Sequence, residues 1–311
     1  MTSPSVFILG ATGQDGYYLS TYLNEFGYQV IPDEGSLNLS QPPSNVEQYF
    51  SQLLKEKKPS HIFNLAALAT GVGMFDDPYT LMDVNGFSVI GILEAIRKHR
   101  PETKFCQASS SEMFGLPNSS PQNEHTHFCP RTPYGAAKLL AHNMVGIYRK
   151  HYNLYACSAI LFNHESPKRS DKFVTRKVTQ AAARIKLGLD KHLMLSNLDS
   201  RRDWGYAPDF VRAMWQILEQ PQADDYVIAT GEIHSIADLC EIAFGYVGLN
   251  YKDYVLLDSA LSNRAIEGLQ LVGDASKARK DLGWAPSINF KQMICEMVDS
   301  DITLLKTQRI V

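Results

Sequence analysis

SVFILGATGQDG, residues 5–16, runs from an apolar segment straight into a turn carrying Gly10, Gly13 and Gly16. An unbroken run of Val, Phe, Ile and Leu reads as a strand buried on both faces, as in a parallel sheet. Glycines let a turn close tightly and let backbone approach a pyrophosphate, which then rests on the N-terminus of the next helix. That helix is expected from about Gly16 to Phe26, with Gly27 as its C-terminal cap. Loops collect glycine for many reasons, but the place between a first strand and a first helix favours a dinucleotide site. The spacing is G-x-x-G-x-x-G, with Gln14 and Asp15 inside it.

Outward from this turn the pattern repeats. YQVIP is a second strand, and Ser44 with Glu47 predicts a capping box for a helix whose Val46, Phe50 and Leu53 share a face. HIFNLA, KFCQAS and LYACSAILF are further buried strands, separated by helices near residues 80–98 and 134–151. Strand and helix in alternation imply an α/β protein with a Rossmann-type doubly wound parallel sheet. Beyond Asn163 the pattern turns irregular, although YVIAT (226–230) reads as one more sheet strand and Ser235 with Asp238 opens another helix. The expected division is a dinucleotide-binding domain over 1–165 plus about 206–235. A smaller C-terminal α/β lobe for the substrate takes about 166–205 and 236–311.

Composition narrows the class. The 311 residues are 44% hydrophobic and 20% charged, with a net charge of −3, which gives no reason to expect nucleic acid as a partner. No apolar run reaches the ~18 residues of a membrane span, and MTSPSVFILGATG lacks the basic region and cleavage site of a signal peptide. Five scattered cysteines, an odd number, read as reduced thiols of a cytoplasmic protein and neither as a disulfide frame nor as a metal site.

Two further features carry chemistry. Asp33, followed by Glu34, ends the second strand; a carboxylate there can accept hydrogen bonds from a ribose diol and repel a 2′-phosphate. A solvated turn acid is the other reading. In PYGAAK, Tyr134 and Lys138 stand four apart and project side by side from a helix. The ammonium is expected to lower the phenol pKa towards working pH. A surface pair is the alternative, but the glycine turn and the strand ending QASSSE make it the poorer one.

That combination resembles the short-chain dehydrogenase/reductase superfamily, in its extended branch acting on nucleotide sugars. The serine–tyrosine–lysine set falls on Ser110 (or Ser111), Tyr134 and Lys138. QASSSEMFG, PRTPYGAAK, LFNHESPKRSDKFVTRKV, NLDSRRDWGYAPDFVRAMW and GDASKARKDLGW narrow the likeness to the GDP-mannose 4,6-dehydratase family, over residues from about 105 to 290 and in the family's order.

The resemblance implies a tightly bound NADP or NAD that is recycled in each turnover. Tyr134 would take the hydroxyl proton on sugar carbon 4 while hydride leaves that carbon. Glu112 would remove the carbon 5 proton and protonate the departing hydroxyl of carbon 6, to which hydride returns. Ser110 stands where the family usually has threonine. By the same likeness His164 and Arg169 touch the cofactor, Leu65, Ala67 and Tyr79 line its site, and Asn38 and Leu39 lie near the adenine. Asn163, Val174, Lys177, Arg202, Arg264 and Glu267 would hold the GDP-sugar. His142, on the tyrosine helix, reads as a packed or surface residue.

Two departures from the family qualify these expectations. VIPDEGSLNLSQ replaces a longer segment bearing arginines that grip a 2′-phosphate and join tetramers. Weakened NADP selectivity and a homodimer are therefore expected. Ala66-Ala67-Leu68-Ala69-Thr70 replaces a more polar run and points either to looser substrate contact or to another GDP-sugar, such as a GDP-heptose. A reductase or epimerase of a GDP-4-keto-6-deoxy sugar uses the same tyrosine and lysine and is the rival reading. A non-catalytic sensor is disfavoured by the joint presence of serine, glutamate, tyrosine and lysine.

Overall fold

The apolar run at the start forms strand β1 (Ser5–Leu9), in which Val6, Phe7 and Ile8 have no exposed surface. The computed structural model describes residues 4–33, 35, 37–69, 75–258 and 270–308. After β1 come α1 (Gln14–Glu25), β2 (Gln29–Ile31), α2 (Pro43–Glu56) and β3 (His61–Asn64). Then follow α3 (Pro78–Met82), α4 (Ser88–His99), β4 (Lys104–Ser110), α5 (Pro133–Tyr152) and β5 (Ala156–Leu161). The strands pair in the order 2-1-3-4-5, and Tyr226–Ile228 adds to β5 as a sixth, all parallel. Winding reverses between β1 and β3, where the carboxyl ends of the strands part and open a crevice. The link over 32–42 is too short for an additional strand outside β2, because a parallel crossover takes about a dozen residues or more.

Each face of the sheet carries its own core. Leu19 and Leu23 of α1 pack on one face, and Phe50, Ile92 and Val145 of α2, α4 and α5 on the other. The remaining helices are α6 (Val174–Lys186), α7 (Ala207–Leu218), α8 (Ile236–Tyr246), α9 (Ser276–Leu282) and α10 (Phe290–Gln308). Helices α6, α8 and α10 enclose a separate core around Val178, Leu239, Phe244 and Ile294. In contrast α7, Ala278 and Leu282 of α9, and Trp284 join the first sheet face, so the chain returns to the sheet after entering the lobe.

Three local expectations need correction. No capping box forms at Ser44 and Glu47: α2 begins at Pro43 and has no side-chain cap. Proline suits the first helical position because its missing N–H needs no partner there, so Ser44 already lies in the first turn. Leu54 is the residue buried with Val46 and Phe50, while Leu53 is only partly covered. The helix near 80–98 is interrupted by a π-turn, Asp83–Phe87, yet Pro78–His99 as a whole reaches the length and apolarity of a membrane span. Of its apolar window 56% is buried inside the protein, where α4 packs against α2 and α5. At Ser235 the expected helix opens, through a capping box with Asp238.

Candidate active site

The glycine turn is compressed by its own backbone. Gly10 adopts φ +87°, and a Cβ there would lie 2.9 Å from the Ala66 nitrogen; one on Gly16 would lie 2.3 Å from the Gly10 oxygen. A cavity of about 390 Å³ opens above the turn, lined also by Leu65, Ala67 and Arg169. Gly13 precedes α1 without a side-chain cap, which leaves the first N–H groups of the helix to an anion. Bare backbone, helix N-terminus and cavity together fit the pyrophosphate of a dinucleotide. The π-turn contributes too: Asn85 donates to the Leu68 oxygen at 3.2 Å and accepts from its nitrogen at 2.9 Å, fixing the loop after β3 that lines the cavity.

Gln14 and Asp15 join the turn to the strand pair Asn163–Glu165 with Trp204–Tyr206. His164 donates from Nδ1 to the Phe162 carbonyl at 2.7 Å and from Nε2 to Asp15 Oδ2 at 2.9 Å. Both ring nitrogens face acceptors, so the geometry calls for the imidazolium. Burial opposes that charge, but Asp15 prevails and raises the His164 pKa. Burial likewise opposes the Asp15 carboxylate, and His164 prevails to lower its pKa. Gln14 Nε2 donates to the His164 carbonyl at 3.1 Å, and Ser166 Oγ to Gln14 Oε1 at 2.8 Å. Arg169 pairs with buried Glu165 at 3.1 Å and lies 3.5 Å over the Phe173 ring.

The groups expected to react gather where β4 ends. Ser110 is its last residue, and its Oγ accepts from the Glu112 N–H at 3.2 Å. Thr132 caps α5 by accepting from the Gly135 N–H at 3.0 Å, which sets Tyr134 in the first turn beside them. Gly135 lies so close to the Glu112 carbonyl that a Cβ would come within 2.5 Å. Tyr134 is partly buried, and desolvation pushes its phenol up to about 12 against a hydrogen bond from Ser110 and the charge of Arg169. This corrects the expectation of a phenol lowered by its lysine neighbour. Lys138 Nζ donates to the Ala108 carbonyl at 2.9 Å and stands 5.8 Å from the Tyr134 ring centre. Burial brings Lys138 itself down to about 8, partly offset by Asp15. Asp15 thus acts electrostatically on both the tyrosine and the lysine, and Arg169 on the tyrosine, which joins the turn and these groups into one continuous site.

The remaining candidates are dispersed. Asp33 touches the turn, with Gly10 N–H donating to it at 3.2 Å. Leu39 packs on the sheet core, and Asn38 caps its own loop at Ser40. Tyr79 is 83% exposed on α3. Asn163 pairs with Trp204; Val174 starts α6, with Lys177 exposed one turn on; Arg202 lies in the short strand Arg201–Arg202 opposite His234–Ser235. Arg264, Glu267 and Thr70 fall outside the described residues. His142 packs edge-on against Phe128. Thr12, Lys168, Ser170 and Phe173 line the cavity without having been expected. Thr12 lies inside the glycine turn itself, while Lys168 and Ser170 belong to the polar run SPKRS beside His164 and Phe173 closely follows it.

Residues 7–297 match the family model described as GDP-mannose 4,6 dehydratase. GDP-mannose 4,6 dehydratase 1 of Arabidopsis thaliana is 42% identical, over 97% of this chain and 91% of its own. The Homo sapiens GDP-mannose 4,6 dehydratase is 37% identical, over 96% and 92%. Among solved structures, RMD from Pseudomonas aeruginosa complexed with NADPH superposes with a TM-score of 0.86 at 22% identity, covering 97% of this chain and all of that one. The dTDP-glucose 4,6-dehydratase of Bacillus anthracis in complex with NAD gives 0.79 at 21%, covering 96% of each. At these identities the structures bear on the fold alone.

Proposed function

The chain belongs to the GDP-mannose 4,6 dehydratase family, and from that premise we propose how its residues turn GDP-D-mannose into GDP-4-keto-6-deoxy-D-mannose. Gly10, Gly13 and Gly16 of the turn, with the N-terminus of α1, would hold NAD or NADP, which would supply the acceptor and returning donor of one hydride. Tyr134 takes the proton of the carbon 4 hydroxyl, with Ser110 donating to the same oxygen. Lys138 supplies positive charge one helical turn away. The carbon 4 ketone acidifies the carbon 5 proton, so an ordinary carboxylate, Glu112, suffices to remove it. Glu112 then hands the proton to the leaving hydroxyl of carbon 6, and water departs. Carbon 6 would take back the hydride while the proton held by Tyr134 goes to carbon 5, which restores the tyrosinate.

The observation that carries this reading is the meeting of Ser110, Glu112 and Tyr134 at one strand end, under electrostatic influence from the dinucleotide turn. Incubation with GDP-mannose and no added reductant tests it: a 4-keto product should form without net use of NAD(P)H. Deuterium placed on carbon 4 should reappear in the new methyl group. A need for stoichiometric reductant and a keto substrate would support a reductase instead. Glu112→Gln should bind the nucleotide sugar and lose elimination by about 10²–10⁴-fold; unaltered turnover would remove Glu112 from the mechanism.

Assembly as a homodimer is part of the proposal. Phe87 and Ile147, exposed at 39% and 52% at the start of α4 and on α5, supply apolar surface for a partner copy. A reducing, cytoplasmic setting agrees with five free cysteines.

A further inference from the structure

Taking the cleft as a dinucleotide site leaves open which dinucleotide it takes, NAD or its 2′-phosphorylated form. Asp33 stands just past β2, on the edge of the crevice where doubly wound folds seat the adenosine ribose. Both its oxygens are engaged: Oδ2 accepts from the Gly10 N–H at 3.2 Å and Oδ1 from the Gly35 N–H at 3.1 Å. The carboxylate is therefore fixed against the first glycine of the turn and cannot swing aside without breaking two bonds. Two backbone donors that could otherwise serve phosphate oxygens are already taken.

No compensating cation stands nearby in the chain. From Ile31 to Leu54 the sequence has no lysine or arginine, but it has Asp33, Glu34 and Glu47. The next cation, Lys55, sits in the last turn of α2. That helix starts near the carboxyl edge of the sheet and runs back ~20 Å, at 1.5 Å per residue, towards the start of β3. Arg97, Lys98 and His99 end α4 on the same far edge. Of the cavity's cations, Lys168 lies 4.5 Å over the Tyr17 ring and Arg169 is paired with Glu165.

We infer that Asp33 makes the site selective for NAD: its fixed carboxylate accepts from the ribose diol and excludes a 2′-phosphate. Neutral hydroxyls gain an acceptor there, while a phosphate meets a like charge that no cation paired with it screens among the described residues.

The test is direct binding, independent of turnover. Nucleotide released from the purified protein is identified by chromatography, and stripped protein is titrated with NADH and NADPH by fluorescence. NAD should be the nucleotide released, and NADH should bind tighter by about 10²-fold, the scale of one like-charge juxtaposition. In Asp33→Asn, which keeps an acceptor for Gly10, the ratio should narrow about tenfold, mainly through tighter NADPH binding. Asp33→Ser provides the same comparison should the first variant not fold. Released NADP, equal or tighter NADPH binding by the wild type, or an unchanged ratio in the variant that folds overturns the selectivity. Failure of the wild type to bind either nucleotide overturns the reading of the cleft itself, a result separable from the others.

Discussion

In the proposed reaction Tyr134 acts from its ionised form, in surroundings that resist that ionisation. With the phenol up at about 12, positive charge near the reacting oxygen matters most, and Lys138 carries it only below about 8. We expect kcat/KM to fall with a one-proton slope above about pH 8; a profile flat to pH 10 would exclude Lys138 from that role. The Asp15–His164 pair has a different pH signature. Burial opposes both charges, yet His164 is raised from 6.5 and Asp15 lowered from 3.8 by their mutual attraction. The histidine's contribution to stability is complete below about 6.5 and fades as pH climbs through its raised folded value. The aspartate's is present above about 3.8 and is lost as pH falls through its lowered folded value. Asp15→Asn should cost about 1.5–3 kcal/mol between these limits, the range of a hydrogen bond to a charged group. The loss should shrink at both ends of a thermal-unfolding series taken against pH; a loss independent of pH would contradict the pair.

At the scale of the element, the first turn of α5 works as a template. Thr132 fixes where the helix begins, Tyr134 stands in its first turn, and Gly135 lets the helix seat directly on the Glu112 carbonyl. Gly135→Ala puts a Cβ within 2.5 Å of that oxygen, which pushes Glu112 away while leaving the glycine turn untouched. The variant should lose kcat by about 10²-fold, as expected of a reacting group moved by roughly 1 Å. Titration should show its dinucleotide affinity unchanged, and a parallel loss of that affinity would show the damage to be general. The G-x-x-G-x-x-G turn and the Tyr-x-x-x-Lys pair were legible because each is a local spacing with a local geometric consequence. The capping box at Ser44 failed for a local reason as well: proline at the first helical position started α2 ahead of it.

At the scale of the whole molecule, packing bears on two arrangements, the first of them the proposed homodimer. One is assembly: Phe87 and Ile147 remain exposed in the single chain, and sedimentation should give twice the chain mass. Ile147→Glu should shift that mass towards the monomer, whereas a wild-type tetramer would count against a dimer. The other is the joining of three cores, two on the sheet faces and one in the lobe. Because α9 and Trp284 return to the sheet, the lobe around α6, α8 and α10 is tied to the dinucleotide half at its far end as well as at Asn163.

By itself the sequence determined the alternation of buried strands and helices, the glycine turn and the side-by-side spacing of Tyr134 and Lys138, since hydrophobic period and short spacings act over a few residues. Ser110 and Glu112 were pointed to by the family resemblance. Tertiary structure alone decided that Asp15 meets His164 and that Asn85 holds the loop after β3. It also decided that burial, and not Lys138, sets the ionisation of Tyr134. These depend on distances between elements far apart in the chain and on exclusion of water by all of them together, and no run of neighbouring residues encodes either.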